Sequence, residues 1–228
     1  MGFLKDKQTR RDFITYALVI VAFVVVQLLV GARMIPRSIQ GQLVPITAYV
    51  VMAVALNLVV GIAGDLSLGH AGFMSVGAFS GVVVTMSLSE SIPSEPARLA
   101  IAIAVGAVCA AIMGFLIGLP VMRLQGDYLA IVTLAFGEII KGIVSCLLVG
   151  WDERGLHVLF NASGTLGVDD LHLSDSGFAI IKGAQGASGV DKVSTFVAGF
   201  ILVMIALIVV QNLVRSRTGR AIMAVRDN

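Results

Sequence analysis

Apolar positions along this chain run in blocks long enough to cross a bilayer, separated by polar joins. Five blocks stand out, at residues 13–31, 44–63, 97–121, 128–149 and 193–214. Each is near the roughly 20 residues that a helix needs to span about 30 Å of hydrocarbon. A sixth, 68–88, is apolar overall but richer in Gly and Ser. The blocks are too long and too evenly apolar for the short alternating strands of a membrane barrel, so the pattern predicts an all-α integral membrane protein with about six transmembrane helices. Pro36 and Pro45 bracket the first outer join, with Pro45 near the start of the second span, where a missing N–H costs nothing. Pro93 and Pro96 mark the second outer join. Residues 150–192 form the one long polar join, rich in Gly, Ser and Asp and containing GAQGASG at 183–189. It predicts a loop with one short helix around Gly155–Phe160.

Composition removes whole classes of function. Of 228 residues, 57% are hydrophobic and 13% charged, against about 25% charged in a soluble domain. Mean hydropathy is +0.97. Six spans use most of the length and leave no room for a separate soluble domain. The basic start (Lys5, Lys7, Arg10, Arg11) and Val30-Gly31-Ala32 have the outline of a secretory signal. The apolar stretch between them exceeds the roughly 7–15 residues of a signal, so an uncleaved anchor is expected.

Basic residues give the orientation. With the N-terminus in the cytoplasm, the inner joins hold Lys5, Lys7, Arg10, Arg11, Arg123, Arg215, Arg217, Arg220 and Arg226. The longer outer joins hold Arg33, Arg37, Arg98, Arg154, Lys182 and Lys192. That asymmetry follows the positive-inside rule. The net charge of +2 therefore describes orientation in a lipid bilayer and gives no reason to expect nucleic acid. Cys109 and Cys146 stand singly in apolar spans, with neither CxxC nor a nearby His, as small packing residues do. No GxxxxGK[ST], HExxH or GxSxG occurs, so enzymatic chemistry and a P-loop of the chain's own have no foothold. The triplet Asn161-Ala162-Ser163 matches a glycosylation sequon, a match that three residues often make by chance.

Polar residues inside the apolar blocks are the candidates for chemistry. The stretch GDLSLGHAGFMSVGAFSG, residues 64–81, concentrates small residues. Its second half contains the GxxxG of Gly77 and Gly81, a surface suited to close helix packing; Gly114 and Gly118 form another. Its first half, with Asp65, Ser67 and His70, is too polar for lipid and too glycine-rich for a firm helix. Two readings stay open. One is a broken helix lining a translocation path, since irregular backbone at membrane depth must be buried in protein or face water. The other is an ordinary cytoplasmic turn between spans two and three. In YLAIVTLAFGEIIKGIVSCLLV, Glu138 falls at mid-span, with Lys141 and Ser145 on the same face. An ionisable residue there must face protein or water, either as a Glu138–Lys141 pair holding helices together or as a pathway-lining stripe that includes Thr133. Asn57 reads as interhelical hydrogen-bonding glue.

Three stretches together resemble the membrane subunits of branched-chain amino acid ABC importers, the LivM-like permeases. The block at 64–81 looks like the family's Gly-x-Leu-Ser-Leu-Gly-His-Ala. RLQGDYLAIVTLAFGEII at 123–140 is close to its RL-x-GDYLAIVTLGFGEI. SRTGRAIMAVRDN at 216–228 is similar to its S-x-x-GRA-x-x-A-x-R-x-[DE]. Residues 163–168 are only weakly similar to the family's TGG-x-x-GI loop and carry nothing over. The resemblance implies an ABC importer permease: a single permease domain over 1–228, with 150–192 outside and an ATPase-coupling segment beginning at 215. It further implies a homologous second permease, two cytoplasmic ABC ATPases that bind ATP so that this chain needs no cofactor, and a periplasmic or extracellular binding protein. The setting is a bacterial cytoplasmic membrane. The third block becomes a coupling helix, with Thr218 capping its start. Ala221, Ile222 and Val225 share one face, Arg220 and Arg226 flank it, and Gly219 permits close approach. Family members continue past this segment with further membrane helices, so the chain is expected to be a fragment or truncated form.

Two rivals belong to other classes. A stand-alone ion-coupled carrier or channel would suit mid-membrane Glu138 and His70, and a membrane scaffold would use the glycine faces for packing alone. A lone carrier has no use for an ATPase-docking helix, so SRTGRAIMAVRDN discriminates. Leucine, isoleucine and valine are the substrates the resemblance implies by default; urea, small amides and other amino acids are carried by related proteins.

Overall fold

The computed structural model describes residues 7–226 apart from Glu90, Met122, Gln125, Asp175, Ser176 and Asp191, with backbone only at 7–12 and at 225–226. The basic start at Lys5 and the terminal Asn228 lie outside the described residues. Six helices among these residues are long and apolar enough to cross a membrane. The chain forms two compact units, residues 1–58 with 194–228, and residues 59–193.

The first unit contains α1 (Lys7–Gly31), α2 (Arg37–Asn57), α6 (Phe196–Arg215) and the short α7 (Arg217–Arg226). Phe23 of α1 stacks on Phe200 and Phe196 of α6, at ring separations of 4.0 and 5.2 Å. Gly199 lets α6 settle on the buried Thr47 of α2; a Cβ there would overlap the Thr47 hydroxyl. That hydroxyl donates to the carbonyl of Val44 at 2.8 Å, so it enters the contact already satisfied. Pro45 is not at a helix start as expected. The helix begins at Arg37, directly after Pro36, and carries Pro45 inside it.

The second unit is built on α3 (His70–Ser87), α4 (Glu95–Val121) and α5 (Asp127–Ser145). The predicted glycine face is the α3–α4 seam. A Cβ on Gly106 would come within 2.7 Å of the Gly77 carbonyl oxygen, and one on Gly81 within 3.4 Å of that of Ala102. Gly114 and Gly118, by contrast, face open space. Arg98, expected in an outer join, is buried in the first turns of α4.

The join after α5 departs most from expectation. Helix α5 ends at Ser145, not Val149, and Leu147–Asp152 forms β1. The segment Gly155–Phe160, expected as a short helix, is β2, and Phe178–Lys182 is β3. The strands pair antiparallel in the order β2-β1-β3, with Leu147 opposite Phe160 and a bulge at Val149/Gly150. A two-residue turn, Glu153-Arg154, closes the first hairpin onto Gly155, whose φ of +115° suits glycine. Val149, Ile180 and Ile181 pack on Met86, with Phe79, Val82 and Val83 of α3 around them. A short apolar run such as Leu147-Leu148-Val149 can end a helix or start a buried strand, and periodicity does not separate the two.

Asp152 pins this small sheet to its loops. Its side chain accepts from the backbone N–H of Arg154 at 2.7 Å and of Ser174 at 3.3 Å, and lies 3.0 Å from His157 Nε2. Burial opposes its charge, but the hydrogen bonds and His157 outweigh that and hold its carboxyl below the ordinary value. Asn161, the sequon residue, closes a turn instead, donating to the Leu166 carbonyl at 2.6 Å and accepting from its N–H at 3.2 Å. Cys109 and Cys146 are free thiols, each half-buried.

Candidate functional site

A π-helical turn, Leu58–Ala63, precedes the polar stretch, and Gly64 follows it with φ +83°. Residues 64–69 are irregular, and α3 starts only at His70. The last two irregular residues, Leu68 and Gly69, lie against α5. The Leu68 N–H donates to Thr133 Oγ1 at 3.1 Å, while the Thr133 hydroxyl itself donates to the Ala130 carbonyl at 3.0 Å. Gly69 touches the Thr133 carbonyl so closely that a Cβ would overlap it, and a Cβ on Gly137 would sit 3.4 Å from Gly69 Cα. Gly72 repeats the contact one turn on, where a Cβ would come within 3.0 Å of Ile140 Cδ1.

Thr133 and Gly137 fall in the central part of α5, a helix of 19 residues, barely the length of one span. The break before α3 is therefore level with the middle of a membrane-spanning helix. Of the two readings open in the sequence, this is the broken helix rather than a turn beyond the helix ends. Within it the Leu68 N–H is satisfied by Thr133 and Gly69 is buried, while residues 64–66 stay exposed, so that part of the irregular backbone must face water or another protein surface at that depth.

Between α3, α5 and the 3-10 turn Gly183–Gln185 lies a cavity of about 320 Å³, at the small end of the roughly 300–1,000 Å³ usual for small-molecule sites. Leu68, Phe79, Leu134 and Val144 give it apolar walls, and Glu138 and Lys141 supply its charge. Lys141 Nζ donates to Glu138 Oε2 at 3.1 Å and Oε1 at 3.5 Å. Both belong to α5, so the pair links two turns of one helix and does not itself bridge helices. The side chains are also open, 63% exposed for Glu138 and 72% for Lys141.

Magnitudes bear on why they are there. An exposed i,i+3 pair stabilises a helix by about 0.2–0.5 kcal/mol. An ionisable group at a helix centre costs on the order of 2.5–3.5 kcal/mol on insertion scales, a cost that falls on Glu138, while Lys141 lies nearer the end of α5. Helix stabilisation does not offset that, so the pair must meet water, protein or a ligand.

Thr133 and Glu138 thus meet the polar break and the cavity. Asp65, Ser67 and His70 are not among the cavity-lining residues. Asp65 is exposed, with its N–H on the Val59 carbonyl at 3.3 Å. Ser67 is half-buried, and the half-buried His70 ring stands edge-on to Phe73 with centroids 6.3 Å apart. Sequence reasoning did not place Phe79 or the Gly183–Gln185 turn at the site. The signal available was GAQGASG, whose Gly183 and Gly186 have φ of +59° and +72° and fold the loop back to the end of α5.

At the C-terminal end of the chain, α7 follows α6 after one non-helical residue, Ser216. Ser216, not Thr218, caps it: Ser216 Oγ accepts from the Gly219 N–H at 3.1 Å and donates to the Leu213 carbonyl at 2.6 Å. Thr218 is an exposed first-turn residue. Gly219 is buried, and a Cβ there would overlap the Leu213 carbonyl, so its close approach is made to the end of α6. Ala221 and Ile222 are exposed, and Arg220 donates to the Arg215 carbonyl at 3.2 Å. Val225 and Arg226 continue the helix, with side chains outside the described residues.

Residues 38–228 match the family described as branched-chain amino acid transport system / permease component. Two curated relatives carry the name high-affinity branched-chain amino acid transport system permease protein LivM. That of Escherichia coli K12 is 29% identical over 189 residues, covering 79% of this chain and 42% of the relative. That of Salmonella typhimurium LT2 is 28% identical over the same shares. The chain therefore spans less than half the length of the curated relatives it matches. No solved structure matches it. With six spans, a glycine-broken helix and the three sequence blocks in place, this chain belongs to the branched-chain amino acid transport system permease component family.

Proposed function

We propose that the chain is a membrane permease subunit of an ATP-driven importer for branched-chain or related small amino acids. It lines the translocation path together with a homologous second permease. Two cytoplasmic ABC ATPases supply the ATP hydrolysis, so the chain performs no enzymatic step and holds no cofactor. A periplasmic or extracellular binding protein delivers the substrate. The assembly sits in the bacterial cytoplasmic membrane with this chain's N-terminus in the cytoplasm. The names of the LivM relatives support the substrate class.

The observation that carries the transport reading is the irregular stretch 64–69 seated on the middle of α5 beside a cavity lined by Glu138 and Lys141. A scaffold needs neither. In this reading Asp65, Ser67, His70, Thr133 and Glu138 belong to the path. Thr218 through Ile222, with Val225 and Arg226, belong to a coupling helix whose exposed Ala221 and Ile222 meet an ATPase.

The test is uptake of labelled leucine into vesicles carrying the assembled complex and its binding protein. Uptake is expected to require ATP and to persist when ion gradients are collapsed. Uptake driven by an ion gradient without ATP would replace this reading with the stand-alone carrier.

A further inference from the structure

We infer that Glu138 and Lys141 form the recognition site for the zwitterionic head of the substrate, with Phe79 and Leu134 beside its aliphatic side chain. The inference rests on the import reading above and adds the groups that select the cargo.

The two charged heads lie in contact, Nζ to Oε2 at 3.1 Å, and both line the cavity. A free amino acid carries an ammonium and a carboxylate on one carbon, the same two charges at the same scale. Entering the cavity, its ammonium meets Glu138 and its carboxylate meets Lys141, so one ion pair is exchanged for two. Charge balance is kept at every stage. A ligand with only the carboxylate would leave Glu138 without a counter-charge, and one with only the ammonium would strand Lys141. Of the two serines that line the cavity, Ser75 and Ser145, Ser75 already gives its hydroxyl to the Gly72 carbonyl at 2.7 Å. The walls at Phe79, Leu134 and Val144 are apolar, and the volume of about 320 Å³ suits a small aliphatic ligand.

The experiment is equilibrium binding of labelled leucine to the complex in lipid nanodiscs, without the binding protein. Glu138→Gln and Lys141→Gln should each weaken binding about 10- to 100-fold, the scale of one hydrogen bond to a charged group. Unlabelled 4-methylpentanoate, lacking the ammonium, and 3-methylbutylamine, lacking the carboxylate, should fail to compete. The double variant Glu138→Lys/Lys141→Glu rebuilds the intrahelical pair and should restore protein abundance. It should not restore affinity, because a ligand turned end for end carries its side chain away from Phe79 and Leu134. Wild-type affinity in the swapped protein would make the pair structural and overturn the inference, as would unchanged affinity in both single variants. Absence of ATP-driven uptake by the wild-type complex would instead count against the import reading.

Discussion

Replacing Gly69 with alanine places one methyl group where the α3 entry meets α5. Backbone conformation does not forbid it, since Gly69 has φ −87° and ψ 5°; the obstacle is the Thr133 carbonyl, which the new Cβ would overlap. That neighbour is helix backbone and cannot rotate aside, so the segment 64–69 must lift from α5. Overpacking of this kind costs about 1–3 kcal/mol. Lifting also breaks the bond from the Leu68 N–H to Thr133 Oγ1, a further loss of about 0.5–1.5 kcal/mol. Together the penalty is about 1.5–4.5 kcal/mol, a fall of about 3–18 °C in Tm for a chain of this size. Gly114→Ala is the control, because nothing lies within 4 Å of a Cβ there, and removing a helical glycine stabilises by about 0.4–1 kcal/mol. Thermal unfolding of the purified protein can be followed by the reactivity of Cys109 and Cys146, both half-buried in the same unit. A Gly69→Ala protein as stable as Gly114→Ala would refute the seating of the polar stretch on α5.

Three further outcomes follow from the same structure. Asp152 has a carboxyl held below its ordinary 3.8, so it stabilises the sheet above that value and loses the contribution as pH falls through the lowered native value. Hydrogen exchange across 147–182 should rise in that acid window, and Asp152→Asn should show raised exchange already at neutral pH, with no acid step. Ser216→Ala removes the cap of α7 and should lower its local stability by about 1 kcal/mol, seen as faster exchange at 217–224, whereas Thr218→Ala should change it far less. Ala221→Glu, in the complex assembled with the proposed ATPases, should insert normally yet lose ATPase co-purification and uptake, since an unpaired charge held in an apolar contact is destabilising; wild-type recovery of both would remove α7 from the coupling role.

The six spans and the packing face of Gly77 and Gly81 were legible in the sequence, because apolar length and small-residue spacing are local properties that lipid and helix geometry read directly. The family was legible too, through blocks of polar and glycine residues that apolar composition does not explain. Contacts between distant residues decided the rest. Leu147–Val149 reads equally as helix end or strand; pairing with β2 and β3 and packing on α3 make it β1. The stretch 64–69 could have been a terminal turn, and only its place against Thr133 and Gly137 sets it at mid-span. Glu138 and Lys141 showed their spacing in the sequence, but not whether they face another helix or a cavity. That answer depends on Phe79 and the turn at Gly183, more than forty residues away on either side. Hydrophobic length acts along the chain, whereas burial and close approach are set by what folds against it.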